Sequence, residues 1–172
     1  SQTDGKELPD IAVDELKGSV ENYTAFFDAL KEISPVPISL ENVPGAAKGF
    51  FSNKENRIAI QDGMSEVQTV KTAIHEIAHA KLHALSPDEK AAPEDMKNRR
   101  TKEVEAESVA YTVCQRYGIE TSDYSFGYIA SYAAQDEAKL KTILSNIQST
   151  AHEMIDKLEP LFVENLKKRT MV

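Results

Sequence analysis

The segment from Ser65 to Leu85 constrains this chain more than any other. Its apolar residues Val67, Val70, Ile74, Ile77, Ala78 and Leu85 fall on one stripe at helical spacing, with Ser65 as a natural N-cap and Ser86-Pro87 as the stop. His75 and His79 lie on the same helix one turn apart, so their side chains sit one above the other and can hold one cation together. The apolar stripe runs to one side of them. That sets the histidines at the rim of a buried face, where a cleft is expected.

The flanking segments predict an α+β fold. Val20, Tyr23, Phe26, Phe27, Leu30 and Ile33 mark an amphipathic helix stopped by Ser34-Pro35. Three β-prone runs follow, Val36 to Val43, Ala47 to Ser52 and Arg57 to Ile60, separated by Pro44-Gly45 and by Asn53 to Asn56. They read as a small three-stranded antiparallel meander packed on the histidine helix. Residues 86–100, with Pro87 and Pro93, read as a mobile connection. A helix is predicted from about Thr101 to Tyr117, with Gly118 as its left-handed stop, and a short one from Ser122-Asp123 to Ala134. From about Asp136 a stripe of Leu140, Ile143, Leu144, Ile147, Ala151, Met154, Ile155 and Leu158 continues until Pro160 kinks or ends it. Residues 1–13 are polar and read as a disordered lead-in, leaving 14–172 as a single domain with helical carboxy-terminal additions.

Composition narrows the function. The 172 residues carry 28 acidic and 20 basic side chains, a net charge of −8, which argues against a broad nucleic-acid-binding face. The single cysteine, Cys114, excludes an internal disulfide and a thiolate zinc knuckle, and suits a reducing cytoplasm. No run approaches the roughly 20 apolar residues that span a bilayer, and Ser1 to Asp10 lacks the apolar segment of a signal peptide. The chain begins Ser-Gln, as a piece of a larger polypeptide or a tag remnant would.

The chemistry concentrates in His75-Glu76-Ile77-Ala78-His79. Glu76, beside the first histidine, is placed to take a proton from water and return it to a leaving amine. Such a pattern also arises by chance on solvated helices, so a third ligand matters. Glu103 and Glu107, again one turn apart, share a stripe with Ala110 and Cys114, whose small side chains allow close approach to the histidine helix, while Glu105 points elsewhere. Carboxylates on an inward face need partners, and a zinc ion together with a histidine N–H would account for both.

This pattern resembles the gluzincin metallopeptidases, in which a helical His-Glu-x-x-His supplies two zinc ligands and a downstream helical Glu the third. The order helix, three short strands, metal helix and glutamate helix, over roughly residues 20–117, is similar to ImmA/IrrE-type peptidases. A closer likeness is to the zincin-like domain of ArdC-type antirestriction proteins of conjugative elements, where a further histidine follows four residues on, as His83 does, and the second helix reads Glu-x-x-Ala-Glu, as Glu103 to Glu107 does. The likeness implies that His75, His79 and Glu103 bind zinc. It makes Glu76 the catalytic base, and Glu107 the acceptor for a ligating histidine's other nitrogen or an alternative ligand. The chain departs from the ArdC-type pattern in having Ala80-Lys81-Leu82 where that group has Trp-Thr-Gly.

The implied activity is hydrolysis of peptide bonds in a protein substrate by a regulatory enzyme of a mobile element. The rival is a binding or antirestriction module that keeps zinc for structure and cleaves nothing. Expected partners are a protein or peptide and further domains of a larger polypeptide, with no membrane. Other features read more plainly. His83 is rotated away from the histidine pair and suits the cleft rim, His152 is structural or exposed, and Cys114 is a small buried filler. Tyr111, Tyr117, Tyr124 and Tyr128 are candidates for stabilising an oxyanion, or core residues.

Overall fold

The run Arg57-Ile58-Ala59-Ile60-Gln61 decides the sheet. Its three middle residues are apolar on both faces of a strand, and in the computed structural model all three are fully buried. A strand covered on both sides belongs in the centre. The structure describes residues 18–85, 96–121 and 136–170. Within them, strands β1 (Ile38–Glu41), β2 (Gly49–Ser52) and β3 (Arg57–Gln61) form one sheet in the order β1-β3-β2.

This corrects the expected antiparallel meander. A meander would put β2 in the middle, whereas β3 takes that place. It pairs in parallel with β1 (Ile38 with Ile58 through Glu41 with Gln61) and antiparallel with β2 (Gly49 with Ile60 through Ser52 with Arg57). The sheet is mixed because burial ranks the strands. β1 and β2 are only partly covered, so they take the edges.

Helix α1 (Tyr23–Ile33) buries Ala25, Phe26, Phe27, Ala29 and Leu30, and ends where the Ser34 N–H donates to the Leu30 carbonyl. Helix α2 (Glu66–Leu82) starts at Ser65, whose hydroxyl accepts from the Gln68 N–H at 3.1 Å. It lies against β2 and β3. Helix α3 (Met96–Arg116) runs along α2, with Ala106, Ala110 and Cys114 all fully buried, so small side chains line its inward face. Gly118, at φ 70°, takes the left-handed conformation that terminates it. Residues 96–100, expected as part of a mobile connection, instead form the first turn and more of α3.

Helix α4 (Glu137–Thr170) packs on α1 and α3 and runs through Pro160. Proline inside a helix removes one backbone bond at a cost of about 3 kcal/mol, so packing must offset it. Leu158 is fully buried, and Phe162 sets its ring edge-on to Phe26 at 5.2 Å between centroids. The predicted lead-in over 1–13, the 86–95 part of the connection and the short helix from Ser122 to Ala134 fall outside the described residues. Among the described residues, no helix is long and apolar enough to cross a membrane.

Candidate metal centre

Three side chains from two helices converge at the end of the α2–α3 contact. His75 Nε2 and His79 Nε2 stand 3.2 Å apart, as the one-turn spacing requires. Glu103, reaching over from α3, sets one carboxylate oxygen 3.3 Å from His75 Nε2 and the other 2.9 Å from His79 Nε2. One atom from each residue lies within 4.8 Å of the others, a spacing that could hold a metal ion. Two imidazole nitrogens and a carboxylate oxygen form a donor set suited to a divalent metal ion. Burial alone would raise the Glu103 pKa, but hydrogen bonds from the two histidines outweigh it and hold the carboxyl well below the ordinary range.

Glu76 is buried beside this cluster, and that burial raises its pKa above the ordinary carboxylate value against the pull of His75 and His79. The sheet holds it there through Gly49. A methyl group on Gly49 would stand 2.8 Å from Thr72 Cγ2, 2.9 Å from the Ala59 carbonyl and 3.6 Å from Glu76 Cγ. Only glycine lets the start of β2 lie this close to α2.

Behind the cluster, each histidine has its own support. His75 Nδ1 lies 3.0 Å from Glu107 Oε1, and since an ionised carboxylate can only accept, the ring N–H donates to it. The other Glu107 oxygen pairs with the ammonium of Lys71, and both side chains are almost fully buried. With its Nδ1 so engaged, His75 presents Nε2 to the cluster. Burial opposes protonation of His75, but Glu103 and Glu107 prevail and raise its pKa well above the ordinary value. Lys71 escaped the sequence reasoning. Its signal was a lysine at position 71 of the stripe that also carries Val67, Ile74 and Ala78, where a buried ammonium needs a carboxylate.

His79 is supported differently. Its Nδ1 lies 2.8 Å from His83 Nδ1, and His83 Nε2 donates to Glu105 Oε1 at 2.9 Å. Asn146 of α4 donates to Glu105 Oε2, also at 2.9 Å. His83 therefore stays out of the ligand cluster, as expected, but it is no rim residue: its side chain is 9% exposed. The helix ends at Leu82, and the capping geometry at His83 (φ −123°, ψ 4°) turns its ring back toward His79. Glu105 does point away from the cluster, yet it is buried against this second histidine.

The remaining candidates lie apart from the cluster or pair with other groups. The Tyr117 hydroxyl donates to Glu159 Oε1 at 2.8 Å and its ring packs on Phe26, while Tyr111 bonds Gln115. Tyr124 and Tyr128 fall outside the described residues. Cys114 is buried, which pushes its thiol up to about 12, and His152 is exposed and pairs with Asp156.

No family profile matches this chain. It is 35% identical, over 133 residues, to an uncharacterized protein of Bacillus anthracis, a match covering 76% of this chain and 21% of that protein. The chain thus spans about a fifth of the length of that relative. Among solved structures, it is similar to the Mn(II)-bound antirestriction protein ArdC of a plasmid, with a TM-score of 0.48 and 20% identity, covering 93% of this chain and 58% of that one.

Proposed function

We propose that this chain is a zinc-dependent peptidase domain in which His75, His79 and Glu103 hold the metal and Glu76 is the catalytic base. One observation carries the proposal: three donor atoms converge next to a buried carboxylate whose pKa is raised. A site built only to hold structure has no use for a base there. At such a donor set zinc supplies Lewis-acid polarisation of a carbonyl. The chain's own residues do the rest. Glu76, kept basic enough by burial to accept a proton from water, returns it to the departing amine. Glu107 and Lys71 keep the His75 ring turned toward the cluster.

The substrate of this reading is an extended protein segment. β2 is an edge strand lying against Thr72 and Glu76 through Gly49, and an added strand along its outer edge would run beside the base. The described elements share one hydrophobic core, in keeping with a single domain over residues 14–172, and further domains of a longer polypeptide would supply partners. A reducing cytoplasmic setting suits the lone buried thiol.

The test is hydrolysis of an unfolded protein such as casein by the zinc-loaded chain, with Glu76→Gln as its control. Wild type should bind about one zinc per chain and cleave, and the variant should keep the zinc but not cleave. Zinc bound with no cleavage by wild type would favour a binding module that keeps the metal for structure. No zinc bound after reconstitution would end the metal reading.

A further inference from the structure

We infer that Glu105, which touches no member of the ligand cluster, is a positioning residue: acting through His83, it fixes the ring proton of His79 on Nδ1 and leaves Nε2 free for the metal. The consequence for metal binding rests on the proposed role of His79 as a ligand, but the chain of contacts stands on its own distances.

A neutral imidazole has one N–H and one lone pair, so each link dictates the next. Glu105 offers two oxygens. Asn146 Nδ2 takes one at 2.9 Å, and the other, 2.9 Å from His83 Nε2, accepts a proton only if His83 carries it on Nε2. His83 Nδ1 is then a bare acceptor. Among the described residues the group facing it is His79 Nδ1 at 2.8 Å, which is then the donor. A ring protonated on Nδ1 has its lone pair on Nε2, and that atom points at Glu103 Oε1 and His75 Nε2. Without metal, Glu103 competes for a proton on the same nitrogen. A bound cation takes that proton's place, and then only one arrangement of protons satisfies all four residues.

Burial makes this arrangement matter. The side chains of His83 and Glu105 are 9% and 7% exposed, so water cannot readily substitute for a lost link. His83 comes from the end of α2, Glu105 from α3 and Asn146 from α4, so the chain also ties three helices to one ligand. The neighbouring ligand, His75, reaches a carboxylate directly. His79 reaches one only through a second ring.

The test uses the full chain labelled with 15N-histidine and loaded with zinc, together with zinc affinity from competition with a chromophoric chelator. In wild type, His83 should be protonated on Nε2 and His79 on Nδ1. Glu105→Leu, which offers no acceptor, should mix the His83 tautomers and weaken zinc binding by about 10- to 100-fold, the usual effect of losing an outer carboxylate. Glu105→Gln still offers one oxygen and should recover most of the affinity; it also serves if the leucine variant fails to fold. Melting the metal-free forms separates positioning from packing, because a packing defect would lower stability in step with affinity. His83 protonated on Nδ1 in wild type, or wild-type affinity in both variants, would overturn the inference while leaving the metal site standing. A wild type that takes up no zinc would instead bring down the metal reading, and the inferred consequence with it.

Discussion

The two histidines of the cluster are one turn apart on one helix, yet the structure supports them by unlike means. Behind His75 stands a buried ion pair, Glu107 with Lys71. Behind His79 stands a chain of hydrogen bonds through His83, Glu105 and Asn146. The first arm is short and electrostatic, so its strength depends on two opposite charges staying paired in a dry place. The second is long and directional, and depends on where protons sit. Two identical side chains are thus held in one cluster by an ion pair in one case and by a chain of hydrogen bonds in the other, with failure modes that differ.

The sharpest way to break this contrast is to remove Lys71. Both members of its pair are almost fully buried, and stripping one partner from such a pair costs about 3–5 kcal/mol because the other charge is left uncompensated. Lys71→Met should lower the stability of the metal-free protein by that amount in urea titrations, toward the smaller end where protonated His75 still faces Glu107. A loss under about 1 kcal/mol would mean that the first arm is not electrostatic.

A smaller effect separates the proposed ligand Glu103 from the first arm behind His75. Glu103→Ala removes a donor atom of the cluster, whereas Glu107→Ala only frees the ring of His75, an outer-carboxylate change worth about 10- to 100-fold in affinity. Zinc competition with a chromophoric chelator should therefore rank Glu103→Ala well below Glu107→Ala. The reverse order would transfer the ligand role one turn along α3.

The smallest effect is on pH. The His75 pKa is raised, so in the metal-free protein its contribution is complete below the ordinary value of 6.5 and is lost as pH climbs through the raised value. Glu103 and Glu107 are lowered, so theirs is complete above 4.5 and is lost as pH falls through their depressed values. As far as these groups decide it, metal-free stability peaks between the two ordinary values. Glu107→Gln should shrink the alkaline decline, and zinc, which takes the place of the His75 proton, should abolish it. Melting temperatures across pH, with and without zinc, check both; an alkaline decline unchanged in Glu107→Gln would remove the first arm as its source.

The residues that could be read from local pattern were those whose partners lie one helical turn away. Ser65 capping α2, Ser34 closing α1, Gly118 ending α3 and the convergence of His75 with His79 all follow from rules that operate over three or four residues. The Glu103 and Glu107 stripe was legible for the same reason, since both face α2, although only Glu107 is buried beside Ala110 and Cys114 and Glu103 stays half-exposed. Helix starts were less legible where no cap announces them, as at Met96, and of the two expectations at Pro160, a kink or an end, the end fails because a rule about a lone helix cannot see Phe162 packing on Phe26.

By itself the sequence determined most of the elements, the spacing of the two histidines on α2 and the two acids of α3 that face them, because hydrophobic period and side-chain stacking along a helix are local properties. Only the tertiary structure decided the rest. Strand order was set by competition for burial, which put β3 between β1 and β2 against chain order. The two arms were set by contacts between residues 22 to 41 positions apart, Glu107 with His75, Glu105 with His83 and Asn146 with Glu105. No periodicity connects such residues. They meet because close packing of α3 on α2 leaves buried carboxylates facing buried nitrogens, and groups so desolvated must find each other.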